Sequence, residues 1–440
     1  MGMKNVCLGA AVVALMCTPA AAASRLVSVG YTTPSALHGL RVVQRIDALH
    51  TAEVRVPNLR GERQLRARPG IRFVQRTQAR RDTGGPAFPT AAAAAVPEWQ
   101  WPALHADLVP AWVSAAASRI TIAVIDTGAD TTVPSLAAKN PITYNIVTGT
   151  STVHDDVGHG TFVASLAGGS ISDPNGMSGF GGDAQLMIIQ ANRGGTGFSD
   201  IDEANAIVWA VDNHANVINL SLGGSQTSLV ERSAIQYATD HGVLLVAAAG
   251  NSAEQGNPTV YPAALLGESG LAVGAATAAG TRAPFSTTGT YVDVLAPGVD
   301  VLGALASGVS SGFFSPIATP GATGNYALGS GTSYSAPEVS GAAALVWAAN
   351  PSLDAAGVAA IIEATASGEG RWTQDLAFGE LNIAAAVQRA TGGPAPQLDK
   401  PAVLAKPVTM SKPKAHAATT THRVKAPRAK IKAAPRHAHP

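Results

Sequence analysis

The spacing of apolar and polar positions changes character near residue 99. Beyond it, short unbroken apolar runs recur: Ile120-Thr121-Ile122-Ala123-Val124-Ile125, Asn216-Val217-Ile218-Asn219-Leu220, Gly242-Val243-Leu244-Leu245-Val246-Ala247 and Leu271-Ala272-Val273-Gly274. Aliphatic runs without polar alternation predict strands covered on both faces, as in a parallel sheet. Between them, Asp202 to Asn213 and Leu229 to Asp240 read as helices. Strands alternating with helices predict an α/β fold, a doubly wound and mostly parallel sheet flanked by helices. Upstream, residues 37–78 read as a small α/β module. Leu49 to Val56 alternates as a strand, Leu59 to Arg68 is a short helix, and Ile71 to Gln75 alternates again after the Pro69-Gly70 turn.

A further apolar stretch follows Gly331-Thr332-Ser333-Tyr334-Ser335-Ala336-Pro337 and runs through Ala344 to Val346. It reads as a helix with Ser333 at its N-terminus and Pro337 in or near the first turn, where a missing N–H costs nothing. Free amides and the helix dipole surround such a serine with positive potential, which suits a nucleophile whose reaction builds an oxyanion. By itself the serine is equally an ordinary cap.

Charge divides the chain into three zones. Residues 24–81 hold twelve arginines against three carboxylates, net +9; residues 97–391 hold seven cations against 24 carboxylates, net −17; residues 392–440 hold ten against one, net +9. At the start, Lys4, the apolar run Val6 to Met16 and Ala21-Ala22-Ala23 read as a signal peptide over 1–23, too short in its apolar part to span a bilayer. This implies a secreted or periplasmic protein. Both cysteines, Cys7 and Cys17, fall in that segment, so the mature chain has neither a disulfide nor a cysteine nucleophile. Thr83 to Val96, rich in Gly, Pro and Ala, reads as a cleavable linker, and residues 392–440 as a disordered basic tail.

Three more residues stand where chemistry gathers in such sheets, at strand ends and helix starts. Asp126 ends the first buried run, His159 opens a helix in Gly158-His159-Gly160-Thr161, and Asn251 follows the run at 242–247. Each alone is a turn, cap or loop residue. Together with Ser333 they supply a carboxylate to hold an imidazole, a base, a nucleophile and an oxyanion donor. The order Asp, His, Ser along the chain is that of subtilisin.

Asp126-Thr127-Gly128, His159-Gly160-Thr161 and Gly331-Thr332-Ser333-x-x-Ala336-Pro337 resemble the three signatures of subtilisin-like serine proteases, over roughly residues 99–390. The resemblance implies that Ser333 is the nucleophile, His159 the general base, Asp126 its orienting partner and Asn251 the oxyanion donor. It implies that Ser221, Leu222 and Gly223 line one edge of the substrate cleft and Gly195, Thr196 and Gly197 the other, holding an extended polypeptide by β-augmentation. Residues 24–96 then correspond to a propeptide and linker that act as an inhibitory partner in cis, and residues 97–391 to the peptidase domain. The implied enzyme is a monomeric secreted serine endopeptidase, made as an autoprocessed zymogen, needing no cofactor and using neither nucleic acid nor a membrane span. Its rate is expected to climb through about pH 6–7 as the base loses its proton.

Tyr334 and Glu338 stand where the family usually has Met and His, and Ser135 stands where it has an acidic residue beside its strong calcium site. Asp173 and Asn175 could serve a structural calcium elsewhere, or form an Asx turn. One alternative is a catalytically inert relative serving in binding or adhesion through the basic tail. The Gly308-Val309-Ser310-Ser311-Gly312 match to a hydrolase elbow is discounted, because Phe313 to Pro316 reads as loop where that motif needs a helix. No Gly-Lys pair exists for a P-loop.

Overall fold

The apolar runs pair side by side in a computed structural model that describes residues 24–82, 98–170, 177–309, 312–317 and 322–392. Four strands and a helix come first: β1 (Arg25–Tyr31), β2 (Arg41–Ile46), β3 (Thr51–Val56), α1 (Leu59–Arg66) and β4 (Ile71–Arg76). They form an antiparallel sheet in the order β2-β3-β1-β4. The module therefore begins at Arg25 and not at residue 37. Its first strand is central and buried from Val27 to Tyr31, so it lacks the alternation that marks a half-buried strand. Helix α1 stops at Arg66, two residues earlier than expected, with Pro69 just beyond. A fifth strand, β5 (Ala79–Asp82), leaves the module altogether.

The remaining elements are α2 (Gln100–Ala103), α3 (Ala111–Ala116), β6 (Thr121–Asp126), α4 (Pro134–Ala137), β7 (Ile142–Asn145), α5 (His159–Gly168), β8 (Gln185–Gln190), β9 (Gly197–Ser199), α6 (Asp200–Asp212), β10 (Val217–Leu220), β11 (Leu222–Gly223), α7 (Leu229–Asp240), β12 (Leu244–Ala248), β13 (Gly270–Ala276), β14 (Val294–Pro297), β15 (Val301–Ala304), β16 (Phe314–Ile317), β17 (Tyr326–Gly329), α8 (Thr332–Ala349), α9 (Ala355–Thr365) and α10 (Ile383–Gly392). Seven strands among the described residues make one sheet, β14-β13-β12-β10-β6-β8-β7, with every adjacent pair parallel. One face packs on α5 and α8, the other on α6 and α7. The doubly wound prediction holds, and all four predicted apolar runs are strands. Phe314–Ile317, expected to be loop, is an edge strand of a small sheet β15-β17-β16, where Pro316 removes a donor at little cost. Ser310 and Ser311 of the discounted elbow lie outside the described residues.

Helix α8 runs through the protein and is buried from Thr332 to Ala348. Gly341 permits this: a Cβ there would stand 2.6–2.7 Å from backbone atoms of Phe180, Ala167 and Gly181. Pro337 is not in the first turn, since the helix begins at Thr332. Its missing N–H is the one that would bond the Ser333 carbonyl.

The N-terminal module docks on the starts of α6 and α7. Gln75 Oε1 accepts the amide of Leu229 at 2.9 Å, and Gln78 exchanges bonds with Asp200, its amide donating to the carboxylate and its carbonyl accepting from the Asp200 amide, each at 3.0 Å. Gln44 donates to Asp202 at 2.8 Å. First-turn amides need outside acceptors, and the module supplies two, one to each helix. The signal segment, nearly all of the linker, Asp173 and Asn175, and the basic tail beyond Gly392 lie outside the described residues. No helix among the described residues is long and apolar enough to cross a membrane.

Candidate active site

Asp126 is the last residue of β6, and its side chain emerges where the central strand ends. Gly128 turns the chain with φ +105, a value that favours glycine. His159 is the first residue of α5. A Cβ on Gly160 would run into the Gly128 carbonyl, so the two signature loops approach as closely as glycines allow. Their contact carries Asp126 Oδ1 to 2.8 Å from His159 Nδ1, with both side chains buried. Asp126 Oδ1 also accepts the Thr127 amide at 2.7 Å. His159 Nε2 has no hydrogen-bond partner among the described residues.

Asp155 is the residue sequence reasoning missed. Buried between the loops, it accepts from Thr127 Oγ1 at 2.8 Å, Thr161 Oγ1 at 2.6 Å, and the amides of Thr161 and Gly158 at 2.7 and 2.8 Å. Thr127 Oγ1 in turn accepts the Gly160 amide at 2.9 Å. The signal was available: an Asp four residues before a helix start, beside two threonine-bearing signatures.

Ser333 lies in the first turn of α8, and its hydroxyl donates to the Ser221 carbonyl at 3.0 Å. Asn251 Oδ1 accepts from the Thr332 amide at 2.9 Å and the Thr332 hydroxyl at 3.0 Å, which orients its NH2 end as the donor. Both anchors are neighbours of Ser333 in sequence. Burial opposes a charge on His159, but Asp126, by charge and by hydrogen bond, and then Asp82 and Asp155 outweigh it and lift the ring to about 9.

The cleft beside Ser333 is filled. Strand β5 lies between β11 and β9, antiparallel to both: Asp82 pairs with Leu222, Arg81 with Gly223 and with Gly197, and Arg80 with Phe198. The Asp82 amide donates to the Thr196 carbonyl at 3.3 Å. Leu222, Gly223, Thr196 and Gly197 thus contact the inserted strand. Gly195 is held by Asn192 at 2.7 Å and lies outside the ladder, and Ser221 faces Ser333.

Asp126, Asp155, His159, Asn251 and Ser333 fall within 117–383, and that span matches the profile of the Subtilase family, Peptidase S8. The chain belongs to the subtilase family. It is 32% identical over 293 residues to a subtilisin of Bacillus pumilus, covering 65% of this chain and 95% of that one. It is 34% identical over 284 residues to thermitase of Thermoactinomyces vulgaris, covering 63% and 92%. It is 39% identical over 240 residues to a thermophilic serine proteinase of Bacillus sp. strain AK1, but spans only 54% of that protein and aligns over 54% of its own length. Among solved structures it resembles fervidolysin of Fervidobacterium pennivorans, a keratinolytic enzyme related to subtilisin, with a TM-score of 0.71 at 26% identity, covering 86% of this chain and 62% of that one.

Two positions set this subtilase apart from the usual signature. Tyr334 fills the space beside the imidazole, its ring 5.7 Å from His159 and 4.6 Å from Phe162, and Gly329 leaves room for it, since a Cβ there would stand 2.7 Å from the phenol ring. Glu338 is buried with neither carboxylate oxygen bonded among the described residues. Burial, then Glu380 and Glu98, push it well above the usual carboxylate range. Ser135 is buried with its hydroxyl unpartnered among the described residues. No group of three His, Cys, Asp or Glu among those residues is arranged to hold a metal.

Proposed function

We propose that this subtilase is a secreted serine endopeptidase, made as a zymogen whose N-terminal module is cut off by the domain it covers. In this reading Asp126 holds the Nδ1–H tautomer, and His159 Nε2 takes the proton of Ser333 as its oxygen attacks a peptide carbonyl. The Asn251 NH2 and the Ser333 backbone N–H hold the oxyanion, the acyl-enzyme forms as the amine leaves with the proton from His159, and water releases it.

The observation that carries the proposal is β5. A stretch of the chain's own backbone lies in the cleft as a third strand and heads toward the serine. That is how an extended substrate would be held, and it is how a propeptide would block the site. The raised imidazole fits the blocked state: an imidazolium accepts no hydrogen bond, and the Ser333 hydroxyl turns to Ser221 instead. Export is supported by the charged, apolar and small-residue order of residues 1–23.

A fluorophosphonate probe tests the reading. Ser333 should be labelled once the module is removed, and Ser333→Ala should abolish both labelling and removal of the module. A processed protein that takes no label would instead favour an inert binding protein.

A further inference from the structure

Arg80 is fully buried, the largest such side chain among the described residues. A guanidinium taken out of water needs charged partners. Its Nε donates to Glu203 Oε2 at 3.1 Å and to Glu231 Oε1 at 3.0 Å. One terminal nitrogen donates to Glu231 Oε1 at 2.6 Å, the other to the Ala79 carbonyl at 3.1 Å. Glu203 stands in the first turn of α6, and Glu231 is the third residue of α7.

The pocket is preformed by local capping. Ser228 and Glu231 make a reciprocal capping box, with Thr227 Oγ1 donating to Glu231 Oε2 at 2.7 Å. Asp200, also buried, adds a third carboxylate nearby. Burial raises Glu203 strongly and Glu231 raises it further, while Arg80 pulls it down. Glu203 Oε1 has no partner among the described residues. Without a cation, these buried acids face each other.

Arg80 does not belong permanently to this cavity. It rides on β5, the strand that the proposed function treats as a stand-in for substrate and that departs with the module. We propose that Glu203 and Glu231 form a specificity pocket for arginine in the substrate, at the fourth residue before the cleaved bond. This rests on the protease reading above.

The position follows from register. Asp82 pairs with Leu222, so in the same register a substrate's next residue faces Ser221, whose carbonyl touches the Ser333 hydroxyl. Arginine is three residues upstream of that one. In this chain's own sequence the corresponding bond is Thr83–Gly84. Arginine is favoured over lysine because Nε and a terminal nitrogen are both used, and a single ammonium cannot reproduce that fork. An aliphatic residue would take the arginine donors away from Glu203 Oε2 and Glu231 Oε1 and put nothing in their place.

The test uses processed enzyme whose active-site concentration is counted by titrating Ser333 in a separate aliquot with the fluorophosphonate probe. Its kcat/KM is measured on peptides that differ only in carrying Arg, Lys or Leu at that fourth position. Arg should exceed Leu on the order of 10²-fold, with Lys between. Glu203→Gln/Glu231→Gln should bring the Arg-to-Leu ratio below about tenfold, by the same loss of charge pairing. Because those residues also stabilise helix starts, the wild-type comparison decides if the variant does not fold. Unreacted wild-type enzyme, from a preparation whose separate aliquot takes the label, that cleaves the Arg and Leu peptides within about tenfold of each other overturns the pocket and leaves the protease reading intact. Enzyme that takes no label overturns both.

Discussion

The hydroxyl of Ser221 donates at 2.8 Å to the carbonyl of Ser333, the carbonyl whose helical donor is missing because residue 337 is proline. The Ser333 hydroxyl returns a bond to the Ser221 carbonyl at 3.0 Å. A helix defect is thereby turned into a clamp between the cleft edge and the nucleophile. Ser221→Ala should remove a hydrogen bond to a buried carbonyl, costing about 0.5–1.5 kcal/mol. Urea unfolding in a Ser333→Ala background, which avoids self-digestion, would measure it. Unchanged stability would mean that another donor reaches this carbonyl.

Asn251→Ala should lower kcat by about 10²–10³ with little change in KM, the loss that a subtilisin, a relative of this chain, suffers when its side-chain oxyanion donor is removed. The effect should appear in turnover because the NH2 end is aimed by Thr332 at charge that develops only during reaction. Thr332→Val should show a weaker version of the same split. Steady-state kinetics on one peptide substrate checks both.

The bound module should loosen as pH rises. His159 is lifted to about 9 in the docked state, partly by Asp82, against an ordinary 6.5. Only the share of that rise due to Asp82 is linked to docking; it favours the docked state at low pH and is lost as pH climbs through about 9. Asp82 is pushed up by burial, then by Asp126 and Asp155, to about 6 from an ordinary 3.8, although His159 pulls it down. Its protonated form is thus favoured in the docked state, and affinity falls from about pH 4 to pH 6 as it ionises. Activity should appear faster after processing at about pH 9 than at about pH 5, and Asp82→Asn should flatten the acidic part of the profile. The mature rate should then rise above the pH 6–7 expected from an ordinary histidine, because Asp126 and Asp155 stay beside the ring when Asp82 leaves. A release rate independent of pH would count against these couplings.

Glu338 makes the peptidase domain acid-stabilised. Its folded value lies well above the usual 4.5, and burial raises Glu98 and Glu380 to about 7. A carboxyl raised on folding disfavours the folded state once the unfolded chain can ionise, so stability should fall as pH climbs from about 4.5 through 7. Glu338→Gln should gain about 1–2 kcal/mol near pH 8 and little near pH 4. Thermal melts of the Ser333→Ala protein across pH would show the two curves converging in acid.

The apolar runs alone determined that this chain builds a parallel α/β sheet, because strands buried on both faces have no polar positions to interrupt them. The signature glycines and the Asp, His, Ser order likewise marked Asp126, His159, Ser333 and Asn251, since close loop contacts and strand-end placement leave local traces. Alternation failed for β1, which is central in its sheet, and the position of Pro337 depended on where α8 begins. Only the tertiary structure placed Asp155 between two loops, set Ser221 against the carbonyl freed by Pro337, and brought Arg80 to Glu203 and Glu231, more than a hundred residues away in the chain. The Ser221–Ser333 and Arg80 contacts join residues whose neighbours in sequence say nothing of one another. They exist because packing the sheet's two faces brings distant helix starts and strand ends together.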